Sequence, residues 1–471
     1  MNLKGRHVLV LGMGETGLSI TKWMIRQNAK VRVADSRCSP PNIAVLENMK
    51  PVVEIFRGAF DEKIFDGIEL IAMSPGVPMA DRLVQQAIAR GVPVVGDMTL
   101  FQWALNQSGI VNSRIIAITG TNGKTTVTAM AGAMLIQAGY DVEVAGNIGP
   151  AVLDTLMRRL DNGKLPDLWV LEVSSFQLEL TVHLNADAAT VLNLSEDHLD
   201  RYAHMQDYAN AKARIFKHEQ HGAGIQVLNR DDAGSMAMAS MEKRQLTFGL
   251  SEPETPMDFG IVHNHGDDWI AEGDVLLMRV SELGVNGSHN AANALAALAL
   301  CRALNVPVDP LVNSLREFRG LPHRMEKVAS LNGVTFIDDS KSTNVGATIA
   351  ALNGLPQKVV LIAGGDGKGQ DFSTLHAAVA AQARAVILLG RDADRIAEAI
   401  DGCKAPVLRA ATMQEAVQKG FLLAQKNDVV LLSPACASFD MFRNYVHRAE
   451  VFVAAVRDLE TRMCDFGEKR H

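Results

Sequence analysis

Apolar residues in this chain come in short runs that end in small or polar residues, and amphipathic stretches separate the runs. In the first hundred positions "HVLVLG", "VRVAD", "LIAMSPG" and "VPVVGD" read as strands, and "TGLSITKWMIRQ" and "DRLVQQAIARG" as helices between them. That alternation predicts βαβ units and a parallel sheet. After the polar patch "NQSGIVNSR" the pattern restarts with "IIAITG" and runs through "VEVAG", "DLWVLEV" and "ATVLNL". Over 224–280 the strands shorten and turn residues multiply, as in "DDWIAEGDVLLMRV", which predicts an antiparallel excursion inside or beside the middle domain. "HNAANALAALALCRALN" is alanine-rich with leucines at helical spacing and predicts a buried helix. A third restart follows Gly320-Leu321-Pro322, with strands at "VTFIDDS", "VVLIAGG", "AVILLG" and "VVLLSPA". The expected fold is therefore α/β, with three domains, each built on a mainly parallel sheet with flanking helices, over 1–105, 106–320 and 321–471.

Bulk numbers narrow this picture without redirecting it. The 471 residues exceed what one core accommodates. With 48% apolar and 21% charged residues the composition is that of a globular protein, and a net charge of −7 argues against broad electrostatic binding to nucleic acid. The five cysteines (Cys38, Cys301, Cys403, Cys436, Cys464) are scattered and form no C-x-x-C pair. That speaks against a disulfide framework or structural zinc and fits a reducing compartment. No apolar run reaches membrane-spanning length, and the N-terminal run is too short for a secretory core. The expectation is a cytoplasmic protein, without nucleic-acid partner or membrane insertion.

The chemistry sits at strand ends. The first strand runs into Gly12-Met13-Gly14-Glu15-Thr16-Gly17, the G-x-G-x-x-G spacing of a dinucleotide-binding turn, with Asp35 about 20 residues on where a ribose-binding acid belongs. "IIAITGTNGKTTVTAM" is more specific. A β-branched strand leads through Gly120, Thr121, Asn122, Gly123, Lys124, Thr125 and Thr126 into a helix. Small residues there turn backbone N–H groups onto an anion, the helix N-terminus adds positive charge, Lys124 reaches the β/γ-phosphates and Thr125 ligates magnesium. The full P-loop pattern asks for glycine where Ile118 stands, so the loop is a shortened G-x-x-G-K-T variant. "DLWVLEV" supplies Glu172 at a strand end as a second acidic partner for the metal. In "NLSEDHLDRY" Asp197, His198 and Asp200 crowd one turn, suited to a metal or phosphate and equally to helix capping.

Three later loops carry Asp338 to Asn344, Asp366 with Lys368, and Ser433 with Ser438 and Phe439. As strand-end loops of one parallel sheet they are expected along one edge, where two lysines and several hydroxyls, without a compensating cluster of acids, suit an anionic carboxylate. Each lysine alone reads as readily as a solvated loop residue. No G-x-S-x-G elbow, catalytic cysteine signature or H-E-x-x-H occurs. The positioned groups suit ATP-driven chemistry resting on geometry and electrostatics.

Taken in order along nearly the whole chain, "GTNGKTT", "LEVSSFQLE", "NLSEDHLDRY", "SHNAANALAA", "GLPHRME", "DDSKSTN", "GGDGKGQDF" and "LSPACASFDMF" resemble the Mur ligase family. The resemblance implies a Rossmann-like N-terminal domain for a UDP-sugar, a P-loop NTPase-like central domain for ATP and a Rossmann-like C-terminal domain for an amino acid. "SSFQLE", "DSKSTN" and "GMGETG" look most like a member that adds D-glutamate to UDP-N-acetylmuramoyl-L-alanine through an acyl phosphate. It implies ATP and magnesium, two ions, with Thr125 and Glu172 on the first and His198 on the second, and it aligns Lys212 with a carbamylated lysine. It implies ATP contacts at Asn290, Asn293, Arg324 and Asp339, and D-glutamate contacts at Lys341, Thr343, Lys368, Ser438, Phe439 and Tyr445. The UDP-sugar takes Glu15, through its backbone, with Thr16, Asp35, Ser36, Arg37, Ser74, Gly76, Asn147, Ser174 and Gln177. The active form is expected to be a monomer.

Two other readings compete. A nicotinamide-dependent oxidoreductase built on 8–35 leaves "GTNGKTT" and both later lysine loops unexplained. A nucleotide-gated binding module would hold ATP and magnesium without substrate-stimulated turnover.

Overall fold

Short β-branched runs bounded by glycine produce three separate sheets in the computed structural model, which describes residues 2–107, 113–199, 201–202, 204–220 and 222–468. Asp200 and part of the polar patch after 105 lie outside the described residues. Contacts divide the chain into two units: one of 1–194, 206–280 and 292–316, the other of 195–205, 281–291 and 317–471.

The first unit holds two sheets. In the N-terminal one, β1 (His7–Leu11), β2 (Lys30–Asp35), β3 (Glu54–Arg57), β4 (Leu70–Met73) and β5 (Val94–Val95) are all parallel in the order β3-β2-β1-β4-β5. Helices α1 (Glu15–Arg26), α2 (Ile43–Glu47), α3 (Arg82–Ala89) and α4 (Asp97–Gln107) accompany it. The order reverses between β2 and β4 around β1, which leaves a crevice at the carboxyl end of β1, where a ligand fits an open parallel sheet. The turn there is tight. A Cβ on Gly17 would lie 1.8 Å from the Gly12 carbonyl oxygen, so only glycine lets α1 start this close to β1.

The second sheet has nine strands. Its parallel centre is β6 (Arg114–Thr119), β7 (Val142–Gly146), β8 (Leu168–Glu172) and β9 (Ala188–Val191), in the order β9-β6-β8-β7. Outward from β9 follow β10 (Ile225–Asn229), β11 (Arg244–Phe248), β12 (Phe259–Asn264), β13 (Asp267–Glu272) and β14 (Val275–Arg279). Here the expected antiparallel excursion is corrected. β10, β11 and β12 continue the parallel sheet, and only β12-β13-β14 is antiparallel. The physical reason is connection length. The long links into β10, β11 and β12 allow crossovers, whereas the two short turns before β13 and β14 force hairpins. Around the sheet lie α5 (Lys124–Gln137), α6 (Val152–Asp161), α7 (Ser175–Glu179), α8 (Met205–Ala213), α9 (Ala233–Met236), α10 (Ser288–Ala303) and α11 (Val308–Glu317). As expected, α10 is buried through Leu295, Leu298 and Cys301. One apolar core runs from Val8, Ile20 and Trp23 through Phe101 to Trp169 and Val191, with Phe101 edge-on to Trp169 at 4.9 Å.

The second unit carries β15 (Glu326–Leu331), β16 (Val334–Asp338), β17 (Val359–Ala363), β18 (Ala383–Leu388), β19 (Val407–Arg409) and β20 (Val429–Leu432), in the order β15-β16-β20-β17-β18-β19. Only the edge strand β15, not read from the sequence, is antiparallel. Helices α12 (Val345–Asn353), α13 (Leu375–Gln382), α14 (Ala393–Ala399), α15 (Met413–Leu423) and α16 (Tyr445–Glu468) flank the sheet. Among the described residues no helix is long and apolar enough to cross a membrane.

Gly17→Ala should lower stability by about 2 kcal/mol, since the new methyl meets backbone that cannot move independently. A urea midpoint and slope equal to wild type would refute this account of the turn.

Candidate functional site

At the carboxyl edge of the first sheet, Asp35 ends β2 and is buried. Its Oδ2 accepts from the Met13 N–H at 2.7 Å, and Oδ1 accepts from the Arg37 backbone N–H at 2.9 Å and from Arg37 Nε at 2.8 Å. Burial raises its pKa, but the hydrogen bonds from Arg37 and Met13 outweigh that and hold it below the usual carboxylate value. Asp35 thus pins the glycine turn to the end of β2, a task its spacing did not reveal. Glu15 opens α1 and is exposed, Thr16 is half-buried, Ser36, Arg37 and Gly76 are exposed, and Ser74 is buried at the end of β4.

The glycine loop follows β6 directly. Ile118, the departure from the full pattern, is a buried strand residue paired with Glu172 and Thr190, so the loop can begin only at Gly120. Gly123 caps α5 at φ 82°, a left-handed conformation that glycine adopts without penalty. Lys124 Nζ lies against the loop's own carbonyls, 2.9 Å from Gly120 O and 2.8 Å from Thr121 O. Thr125 and Thr126 continue into the first turn of α5. Asn193 clamps the loop from the end of β9. Its backbone carbonyl accepts from Thr121 N–H at 2.9 Å, its Oδ1 accepts from Asn122 N–H at 2.8 Å and its Nδ2 donates to Asn122 O at 3.1 Å. Sequence reading missed Asn193, although an asparagine closing an apolar strand run was the available signal.

Glu172 is almost wholly buried at the end of β8. Oε1 accepts from Asn147 Nδ2 at 2.6 Å, while Oε2 has no hydrogen-bond partner among the described residues. A buried carboxylate oxygen left unmet is costly. Beside the glycine loop it matches a magnesium ligand, so the residues present fit that ion. Lys212 is 1% exposed on α8. Its Nζ donates to Gly120 O at 2.8 Å and Thr119 Oγ1 at 3.3 Å and lies 4.5 Å from the Tyr208 ring centroid, while Tyr208 OH is 3.3 Å from Thr121 Oγ1. Asn293 abuts Gly123, where an added Cβ would lie 2.5 Å from its Oδ1. The structure therefore brings the loop, Glu172, Asn147, Lys212 and Asn293 together. Ser174 and Gln177 form a capping box on α7, just beyond Glu172.

The second unit gathers the later loops. β16, β20 and β17 are neighbours, so their carboxyl-end loops share one edge, as expected. The expectation of lysines without a compensating cluster of acids is corrected. Asp339 is buried, and its Oδ2 accepts from Ser342 Oγ at 2.5 Å and Ser433 Oγ at 2.9 Å. Burial pushes its carboxyl up to about 6, against those hydrogen bonds and the charge of Arg324. Asp338 accepts from Ser340 N–H and faces His323 Nδ1 at 2.8 Å. Lys368 Nζ is 3.4 Å from Asp197 Oδ1, which also accepts from the His198 N–H at 2.9 Å, and His198 itself has φ 57°. Lys341 Nζ sits 3.8 Å from the Tyr445 ring centroid. Thr343 is half-buried, Ser438 is buried and Phe439 is 74% exposed. Asn290 donates to Asn286 O at 2.8 Å.

Arg448 was missed. Although 1% exposed, it donates through Nε to Ser340 Oγ at 3.0 Å, through Nη2 to Ser340 O at 2.8 Å and through Nη1 to Cys436 O at 3.0 Å. It joins the loop of Lys341 to the loop of Ser438, and burial lowers its pKa to about 10. The signal was present, because Arg448 lies on the apolar stripe of α16, four residues before buried Phe452.

Comparison with known proteins matches three successive family models: Mur ligase MurD-like N-terminal domain over residues 6–96, Mur ligase middle domain over 118–301, and Mur ligase glutamate ligase domain over 323–436. Relatives named UDP-N-acetylmuramoylalanine--D-glutamate ligase include one from Nitrosospira multiformis, 60% identical over 98% of this chain and 97% of its own, and one from Methylobacillus flagellatus, 55% identical over 98% and 99%. Among solved structures, the fold is similar to that of UDP-N-acetylmuramate-alanine ligase MurC from Thermotoga maritima (18% identity, TM-score 0.60, 96% of this chain and 99% of that one). It is similar also to that of MurF from Acinetobacter baumannii (18%, 0.61, 96% and 91%).

The Asp339 shift has a definite sign. Between about pH 4 and 6 the unfolded carboxyl ionises while the folded one keeps its proton, so this group's contribution to stability falls as pH rises through that window. The stability of wild type relative to Asp339→Asn should therefore fall from pH 4 to pH 6 and level off above. Urea midpoints with a constant gap between the two proteins from pH 4 to 7 would refute it.

Proposed function

Because the chain belongs to the Mur ligase family, ATP-dependent amide-forming ligases of peptidoglycan precursor synthesis that use magnesium, we propose that it joins D-glutamate to UDP-N-acetylmuramoyl-L-alanine. The observation that carries the ligase chemistry is the unmet Oε2 of buried Glu172 beside the glycine loop at the head of α5. The choice of D-glutamate is supported by the names of relatives 55–60% identical over nearly full length.

In this reading 1–105 takes the UDP-sugar, 106–320 ATP and 321–471 the amino acid, in one cytoplasmic, monomeric chain. The turn at Gly12–Gly17 approaches the UDP diphosphate through its backbone, and no nicotinamide is needed. Lys124 turns from the loop carbonyls to the ATP phosphates, and the α5 N-terminus adds its dipole. Thr125 and Glu172 hold the first magnesium. His198 belongs to a second magnesium site, and Lys212 acts as its carbamate, which converts a buried cation into an anionic ligand. Bound magnesium supplies neutralisation of phosphate charge. Asn290, Asn293, Arg324 and Asp339 hold the nucleotide. Lys341, Thr343, Lys368, Ser438, Phe439 and Tyr445 hold D-glutamate, the lysines matching its carboxylates.

The L-alanyl carboxylate oxygen attacks the γ-phosphorus, the bond to the bridging oxygen breaks and ADP leaves, giving an acyl phosphate. The D-glutamate amine, as its free base, then attacks the acyl carbon, inorganic phosphate departs with the electron pair of the C–O bond, and the nitrogen gives up one proton to solvent to leave the neutral amide. The protein's part is to hold both partners in reach and keep their charges compensated.

Phosphate release should require UDP-N-acetylmuramoyl-L-alanine and D-glutamate together. Equal release with L-lysine or meso-diaminopimelate would sink the D-glutamate assignment. Lys212→Ala should lower turnover by about a hundredfold. A variant with full activity, beside a wild type that gains nothing from bicarbonate, would remove the carbamate from the reading.

A further inference from the structure

Asp97 opens α4 and is 2% exposed. Its Oδ2 accepts a 2.8 Å hydrogen bond from Gln177 Nε2, and its Oδ1 has no hydrogen-bond partner among the described residues. Burial pushes the carboxyl up to about 6, against the bond from Gln177. The surroundings are tightly built. Gly96 N–H donates to Leu180 O at 3.2 Å, and a Cβ on Gly96 would lie 2.8 Å from Leu180 Cβ. Thr99 Oγ1 donates to the same Leu180 O at 3.1 Å and accepts from Val182 N–H at 3.1 Å. The start of α4 and the end of α7 are thereby held as one piece.

On its other side, Gln177 Oε1 accepts from the Ser174 N–H at 3.0 Å and from Ser174 Oγ at 3.2 Å. A carboxylate only accepts and a backbone N–H only donates, so the amide has one satisfied orientation, nitrogen to Asp97 and oxygen to Ser174. Both lone pairs of Oε1 are then engaged, and what Gln177 retains among the described residues is the second N–H of Nε2. Gln177 is itself buried, where an unmet donor is costly.

We propose that Asp97 is a positioning residue for the UDP-sugar: by accepting one proton of the Gln177 amide it orients Gln177 to offer the substrate an N–H and no acceptor. The substrate group that Gln177 meets is accordingly a carbonyl, carboxylate or phosphate oxygen. This rests on the ligase reading, in which Ser174 and Gln177 face UDP-N-acetylmuramoyl-L-alanine.

The test measures KM for the UDP-sugar and for ATP by phosphate release, with thermal unfolding alongside, on the full chain. Asp97→Asn keeps an acceptor oxygen and should stay within about threefold of wild type, whereas Asp97→Leu should raise KM for the UDP-sugar by about tenfold and leave KM for ATP within about twofold. Gln177→Glu sets a carboxylate oxygen against Asp97 and should cause the same selective rise even if Asp97→Leu does not fold. Combining Asp97→Leu with Gln177→Leu should cost no more than either alone. Independent, multiplying losses, equal rises for both substrates, or an unmoved UDP-sugar KM in a folded Asp97→Leu or Gln177→Glu, with an active wild type, would overturn the role of Asp97 alone. A wild type that releases no phosphate with these substrates would overturn the ligase reading and this proposal with it.

Discussion

The parallel pairing of β6 between β8 and β9 governs the central site. Ile118 pairs with Glu172 on one side and Thr119 with Val191 on the other, so both neighbouring strands end level with the glycine loop. Glu172 arrives from β8, and Asn193 follows β9 to clamp the loop. Asn193 takes the Thr121 and Asn122 N–H groups, so a neighbouring strand end shapes the loop together with the loop's own glycines.

Burial of polar groups recurs where chemistry is needed. Glu172, Lys212, Asp97, Asp339 and Arg448 are each nearly inaccessible, and each would be costly alone. The hydrogen bonds described for them run to carbonyls, hydroxyls and amides, and Asp339 is also under the charge of Arg324. Such bonds fix direction strongly. They hold each of these side chains in place within its own unit.

In the second unit Arg448 plays the part that strand pairing plays in the first. Ser340 precedes Lys341, Cys436 precedes Ser438 by two residues, and the guanidinium bonds to both segments. The Asp366–Ala437 bridge adds a backbone link between the loops of β17 and β20. The lysines on that edge thus stand on loops braced from below, and Asp197 and the Tyr445 ring give their ammonium groups contacts.

Sequence by itself determined the elements and the chemical inventory. Strand runs, the glycine loop, Glu172 and the lysine loops were legible because each is a local pattern: apolar period, turn residue and strand-end polar group lie within a dozen positions. The parallel run of β10 to β12 was not legible, since pairing direction depends on how long connections travel through space. Nor were the partners. Asn193 meets a loop 71 residues earlier, Asp97 meets Gln177 80 residues later, and Arg448 reaches Ser340 across 108. Asp35 was read as a ligand's acid, yet folding gives both its oxygens to Met13 and Arg37. Which polar side chains are already satisfied, and which, like Glu172, keep an open oxygen, is decided only when distant strands close into one sheet. Hydrogen-bond capacity is used up by proximity in space, and sequence spacing does not record it.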